Sequence, residues 1–405
     1  MNTIKEGPFP LQITNGLDFY KVTMSQVAHE KHSEASVKFT MQNRGKERLA
    51  DYIDPTILEN RLNIIGANGF SKNEVEFLAS IGSNDTRFFT DEYLNSIVDQ
   101  PLPEIQVSMD DYTNDIAITT TGKWAVNSFW ETIVLSELNE LYYEGMMLKN
   151  GIQPHELYEL GDQRLTEKIN MLKGYPGINF SDFGTRRHFS YRWQRHVVER
   201  LAQEIPNQFL GTSNIGLAKD LGLKPIGTFA HEMPMVYAGL ADENSENIRE
   251  SHGKMLDDWY KKYGKVLSIA LTDTFGSDFF FKDFGAKRAD EWNGLRHDSG
   301  DPYVFGEKAI EYYSGLGINP LCKTIVFSDG LNCDQIIELY SHFKDQINMV
   351  YGWGTTLTND LGLKPLNIVM KATEANGYGT VKLSDVPTKH TGSTNNVSRY
   401  QEIFY

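Results

Sequence analysis

The 405-residue chain has only two cysteines, Cys322 and Cys333. Two thiols cannot build a disulfide framework, and no His/Cys spacing suggests zinc. No stretch approaches the ~18 consecutive apolar residues of a membrane span. The opening "MNTIKEGPFP" has no apolar signal core, so a reducing cytoplasm is the expected setting. Basic runs are missing as well: 39 Lys+Arg stand against 54 Asp+Glu, a formal net charge of −15. Nucleic acid and anionic membranes both require clustered Lys/Arg, so neither is expected as a partner. An anionic small substrate stays open, because it needs only a local pocket of donors. Low-complexity segments are absent too. What remains is ordinary globular composition, 40% hydrophobic and 23% charged, in a length suited to two or three domains.

The first third mixes helix and strand. Val37, Phe39 and Met41 alternate with Lys38, Thr40 and Gln42, and Ile105, Val107 and Met109 alternate in the same way, so both stretches read as half-buried strands. Ser71 and Glu74 have capping-box spacing ahead of Val75, Phe77 and Leu78, which marks a helix start. A longer helix is expected over 128–143. From about residue 178 the pattern changes to short β-rich runs, each ending in a polar, Gly-rich loop: "INF|SDFGTRR", "FL|GTSN", "PIGTF|AHE", "VLSIAL|TDTFG", "WNGL|RHDSGD", "KTIVF|SDGLN" and "INMVY|GWGTT". Helical segments at 188–203, 248–263, 302–315 and 332–343 separate several of them. Repeated βα units imply a parallel sheet. So many units in about 200 residues favour a β/α barrel over an open doubly wound sheet, and a barrel brings every strand-end loop to one face. The phrase "DLGLKP" occurs at 220–225 and 360–365. The unequal spacing around it reads as reused connection grammar.

Several of these loops carry chemistry. "FSDGLN" and "YGWGTT" place Gly330 and Gly354 just after strands, where backbone N–H groups can approach an anion, and Thr355 adds a hydroxyl. A glycine there also serves as a plain turn. "RHDSGDP" offers Arg296, Asp298 and Asp301, and "TDTFG" adds Asp273. Carboxylates beside an arginine suit a polyhydroxyl ligand or a Mg²⁺ held through few protein atoms. Asp301 before Pro302 also reads as a helix cap. "DFGTRR" sets Arg186 and Arg187 next to Phe183, a planar fork for phosphate or carboxylate beside a ring that stacks. His231, in "GTFAHEMPM", follows a short strand run; as a single histidine it fits either a structural or a chemical role.

The order and spacing of "DFGTRRHFS", "GTSNIGLA", "GTFAHE", "TDTFG", "RHDSGDP", "SDGLN" and "GWGT" resemble nicotinate phosphoribosyltransferase. The likeness runs from "TNGLDFYKVTMSQ" to "GWGTTLTNDLGLKPLNIVMK", close to the whole chain. The resemblance implies an α/β fold, an irregular β/α barrel with an α/β sandwich N-terminal domain. Residues 1–140 would form the sandwich, joined by C-terminal strands from about 375–405, and 141–374 the barrel. It implies joining of nicotinate to phosphoribosyl pyrophosphate, giving nicotinate mononucleotide and pyrophosphate in NAD salvage. ATP hydrolysis would be coupled through a phosphohistidine at His231, with Mg²⁺ neutralising the leaving pyrophosphate and no direct metal ligand assigned. By matched position, Asp273 and Asp298 would hold the ribose hydroxyls and stabilise an oxocarbenium-like centre. Arg186, Thr228 and Arg296 would contact nicotinate or phosphates, and Gly330, Gly354 and Thr355 the 5′-phosphate. Tyr20 would cross a homodimer interface to stack on the pyridine ring opposite Phe183, making the active sites shared.

A nicotinamide-specific relative is the nearest rival. Such enzymes tend to carry an acid in the loop that here reads "GTSN", and Ser213 is neutral. A barrel lyase would account for Asp273 and Asp298 but not for paired phosphate loops with the histidine. A non-catalytic phosphosugar-binding protein is the plainest alternative. The tail after about residue 384 matches no motif.

Overall fold

The computed structural model describes residues 11–83, 86–242 and 244–405; the opening "MNTIKEGPFP" lies outside them. The strands in chain order are β1 Ser36–Asn43, β2 Gly82–Ser83, β3 Thr86–Arg87, β4 Ile105–Met109, β5 Ile116–Lys123, β6 Phe180–Asp182, β7 Phe209–Thr212, β8 Ile269–Leu271, β9 Gly294–His297, β10 Thr324–Phe327, β11 Asn348–Trp353, β12 Ile368–Ala375 and β13 Tyr378–Gly379. They form a five-stranded antiparallel sheet ordered β13-β12-β1-β5-β4, a six-stranded parallel sheet ordered β7-β6-β11-β10-β9-β8, and the small β2–β3 hairpin.

The alternation read at 37–42 is the alternately buried face of β1, with Val37, Phe39 and Met41 buried. Ser71 and Glu74 close the capping box that starts the helix Lys72–Ser80. The long helix is Trp130–Asn150, later and longer than the pattern suggested, and it ends on Gly151 in the left-handed region at φ 66°. The return to the N-terminal sheet starts at Ile368, where β12 pairs antiparallel with β1. That places the crossover inside the span assigned to the barrel, because the apolar run "LNIVMKATEA" continues directly from the last barrel loop.

The parallel sheet closes irregularly. Its edges are β7 and β8, and "PIGTF" forms no regular strand. Pro225 pairs with Thr212 of β7, Ile226 N–H donates to Thr212 O at 2.9 Å, and Thr228 Oγ1 donates to Ile269 O of β8 at 3.3 Å. The extended segment 225–229 thus bridges the two edges. Gly227, at φ 151°, makes this possible: a Cβ there would sit 3.3 Å from Tyr20.

All six tryptophans are essentially fully buried. The tail is docked. The helix Thr394–Phe404 buries Tyr400 and Phe404 in a second apolar cluster with Phe275, Phe279, Val381 and Leu383, and the Phe275 and Phe404 rings stack at 4.1 Å. Among the described residues no helix is long and apolar enough to cross a membrane.

Candidate active site

The strand register brings the loops together. β10 lies between β9 and β11 in parallel register, so "RHDSGDP", "SDGLN" and "GWGT" leave the sheet side by side. Trp353 Nε1 donates to Thr356 Oγ1 at 2.6 Å, and Thr356 Oγ1 donates in turn to Leu331 O, tying the two Gly-rich loops together. Gly330 adopts φ 62° with open space where a Cβ would be, while a Cβ on Gly354 would lie 3.2 Å from Phe183 O. Thr355 is half-buried at the start of the short helix Thr355–Thr358.

His231 is the centre of the arrangement. It sits at the N-terminus of the helix Glu232–Leu240 and is buried. Its Nδ1 lies 3.0 Å from Thr274 Oγ1. Its Nε2 lies 2.9 Å from Asp298 Oδ2, 2.9 Å from Lys382 Nζ and 3.6 Å from Asp273 Oδ1. Asp298 is further held by Arg296 at 2.9 Å and by the Ser328 hydroxyl at 2.8 Å. Asp273 accepts from Ser299 at 2.6 Å and pairs with Lys382 at 3.2 Å, while its Oδ1 has no hydrogen-bond partner despite full burial. Asp301 is a helix cap, accepting from Tyr303 N–H at 2.8 Å and Val304 N–H at 3.2 Å.

Charge follows from this packing. Burial lowers the pKa of His231, and the Lys382 ammonium adds to the effect against the opposing pull of Asp273 and Asp298. The imidazole is therefore neutral at pH 7. Burial pushes the Asp298 carboxyl up, but the Arg296 guanidinium, with the Lys382 ammonium adding to it, holds it well below the usual carboxylate range. Asp273 is lowered too, burial being overcome by the charges of its neighbours, of which Lys382 is the permanent one.

His231, Asp273 and Asp298 bring three possible ligand atoms within 4.8 Å of one another. The Lys382 ammonium already meets their charge, and Mg²⁺ prefers oxygen ligands and keeps several waters. A Mg²⁺ held directly by these three residues does not fit.

A second charged group lies beside the first. Lys21 is fully buried between Glu131, at 2.6 Å, and Glu232, whose Oε1 also accepts from Trp124 Nε1 at 2.7 Å. Glu131 further pairs with Lys371 at 3.1 Å and Arg186 at 3.5 Å. Burial works against its ionisation, yet Lys21, Lys371 and Arg186 hold Glu131 well below the ordinary range. Arg186 also faces Asp18 at 3.7 Å and lies 5.8 Å from the centre of the Tyr20 ring. Arg296 lies 5.7 Å from the Phe183 ring. Thr228 is in the bridging segment, its carbonyl accepting from Thr23 Oγ1 at 2.7 Å.

Two contacts bear on the expectations for this region. Tyr20 packs on Arg186 and Gly227 within its own chain. Phe19 N–H donates to Ser213 O at 2.7 Å and Asp18 pairs with Asn214, so the helix Phe19–Lys31 starts directly at the β7 loop. Ser213 is neutral, but its hydroxyl donates to Asp18 at 2.7 Å, so the loop does have an acid beside it.

Sequence reading missed Lys382, Thr274, Ser299 and Ser384. Lys382 carries no sequence signal, since it is a polar residue in "TVKLSD" whose partners Asp273 and His231 lie more than about 100 positions away in the chain. Lys21 and Glu232 stood inside the quoted "DFYK" and "AHE", and motif membership was a usable signal for both.

The comparisons agree with this geometry. Residues 17–139 match the model of the nicotinate phosphoribosyltransferase N-terminal domain and residues 178–405 that of the nicotinate phosphoribosyltransferase family. The crystal structure of nicotinate phosphoribosyltransferase from Porphyromonas gingivalis is 29% identical over 96% of this chain and 98% of its own, with a TM-score of 0.87. That of nicotinate phosphoribosyltransferase from Vibrio cholerae is 30% identical over 100% and 96%, also at 0.87. A third structure, from Saccharomyces cerevisiae, is 26% identical over 98% of each chain at 0.81. With both parts of the chain matched in order and the fold shared along its length, the chain belongs to the nicotinate phosphoribosyltransferase family.

Proposed function

We propose that the chain joins nicotinate to phosphoribosyl pyrophosphate and couples the reaction to ATP through phosphorylation of His231. The observation that carries the reading is a buried imidazole set among Asp298, Asp273, Lys382 and Thr274 at the mouth of a barrel whose neighbouring loops are Gly-rich. In the ATP half-reaction the unprotonated ring nitrogen attacks the γ-phosphorus. The N–P bond forms as the P–O bond breaks, the electron pair leaves with ADP, and the other ring nitrogen keeps its proton. In the transfer half-reaction the pyridine nitrogen bonds to the anomeric carbon while the C–O bond breaks and its electrons leave with pyrophosphate. The unpartnered Oδ1 of Asp273 is a ready acceptor for a ribose hydroxyl, and the ionised carboxylates stabilise positive charge on the ribose.

Mg²⁺ is part of the proposal only as a companion of the substrate phosphates, since the His231 cluster does not fit it. A homodimer with shared active sites also remains proposed; sedimentation of the purified protein tests the dimer.

The test is incubation with ATP labelled in the γ-phosphate. The expected result is a protein label that is acid-labile and base-stable, absent in His231→Ala, together with pyrophosphate release that depends on nicotinate. Asp18 beside Ser213 favours a second reading, nicotinamide as the base, because a carboxylate accepts from a carboxamide N–H. Running the release assay with each base separates the two.

A further inference from the structure

We propose that Lys382, delivered by the C-terminal segment, is the positioning residue that keeps His231 unprotonated and hence able to accept a phosphoryl group. This rests on the phosphohistidine reading above.

The argument starts from what surrounds the imidazole. From β8 comes Asp273, 3.6 Å from Nε2; from β9 comes Asp298 at 2.9 Å, with Arg296 behind it. Glu232, the next residue on its own helix, is committed to Lys21 and Trp124. Thr274 contributes only a hydroxyl. Two carboxylates facing a buried histidine would by themselves favour the imidazolium, as an opposite charge within about 4–6 Å does. An imidazolium has no lone pair for phosphorus. Burial opposes the imidazolium, and Lys382 adds the charge that tips the balance: its ammonium is 2.9 Å from Nε2 and 3.2 Å from Asp273 Oδ2. It supplies the positive charge that the carboxylates require, and it asks Nε2 for a lone pair that only the neutral ring has.

The seat of Lys382 is built for such a role. The side chain is 8% exposed. The Lys382 backbone exchanges hydrogen bonds with Thr391 at 3.0 and 2.9 Å, and Leu383 N–H donates to Thr274 O at 2.7 Å. Val381 and Leu383 on either side are buried with Phe275 and Phe404. Ser384 Oγ joins Ser299 Oγ at 2.9 Å, so the same segment also touches the Asp273 side of the site. The C-terminal segment thus places a buried cation against the histidine.

The experiment is a pH titration of the His231 ring by NMR in the full-length, ¹⁵N-histidine-labelled protein, assigned against His231→Gln. It needs neither ATP nor turnover. In the unmodified protein the His231 pKa is expected below the ordinary value; a value at or above about 6.5 overturns the proposal. In Lys382→Met it is expected to rise by about 1–3 pH units, whereas Lys382→Arg keeps it low. An unchanged value in a folded Lys382→Met refutes the role, and should that variant not fold, the unmodified titration and Lys382→Arg still decide. The acid limb of phosphoenzyme formation should move with the ring pKa. If the unmodified protein forms no phosphoenzyme, the functional reading fails by itself, while the titration continues to report on Lys382.

Discussion

Arg186 sets the sharpest quantitative expectation. Nicotinate carries a carboxylate at neutral pH and nicotinamide does not, so a cation near the ring separates them. Two arginines reach this region, but neither is free. Arg296 is bonded to Asp298 at 2.9 Å and to Ser328 at 2.8 Å. The acids that Arg186 faces among the described residues, Glu131 and Asp18, lie farther off, at 3.5 and 3.7 Å. One charge-assisted contact, from Arg186, is therefore the sound count, at about 1.5–3 kcal/mol. That is about 10- to 150-fold in kcat/KM for nicotinate over nicotinamide, less than two free arginines would give. The perturbation is Arg186→Gln. Glu131 keeps Lys21 at 2.6 Å and Lys371 at 3.1 Å, so the buried charge stays paired and the fold should survive. The assay is kcat/KM for both bases in both proteins, and the variant should lose most of the preference through the nicotinate value alone. Comparable use of the two bases by the unmodified enzyme, or an intact preference in Arg186→Gln, refutes the reasoning.

Other expectations follow from single contacts. His231→Ala should abolish ATP hydrolysis and the labelled phosphoenzyme while slow ATP-independent transfer persists; ATP hydrolysis in step with nicotinate consumption counts against the assignment. Phe404→Ala removes a ring stacked at 4.1 Å on Phe275 and should cost about 3–5 kcal/mol in denaturant unfolding; a loss under about 1 kcal/mol means that the tail is not docked as described. Burial pushes the Glu140 carboxyl up to about 7, against the Tyr191 N–H that it accepts and with Glu144 adding to the rise. A raised carboxyl favours the folded state most below the unfolded value of about 4.3, and that stability is lost as pH rises through about 7. Glu140→Gln should therefore be more stable than the unmodified protein at pH 8 by about 1–2 kcal/mol, discounted for partial exposure, and nearly equal at pH 4; a gain that does not grow with pH contradicts this.

How much could be read beforehand depends on the range of the interaction. The period-two alternation of β1, the capping box at Ser71 and Glu74, and the Asp301-Pro302 helix start are local, requiring only neighbours within a few positions, and the structure has them where the residues indicated. Repeated strand, Gly-rich loop and helix units likewise carried the parallel sheet, because a parallel connection needs a crossover and leaves that pattern along the chain. Motif order indicated the family by itself. The barrel's closure was not legible: "PIGTF" has the composition of a strand but spans a gap between β7 and β8, and only the register of those edges shows the gap. Nor was the position of Tyr20, which depends on the docking of Phe19 and Asp18 onto a loop about 195 residues away. Lys382 is the strongest case. A lysine in "TVKLSD" is indistinguishable in sequence from a surface residue. Its partners His231 and Asp273 are brought to it by the return of the chain through β12 and by the packing of the C-terminal helix. Local pattern determined which elements form. Charge compensation in a buried site is settled by contacts between residues far apart in the chain, and only the tertiary structure decided those.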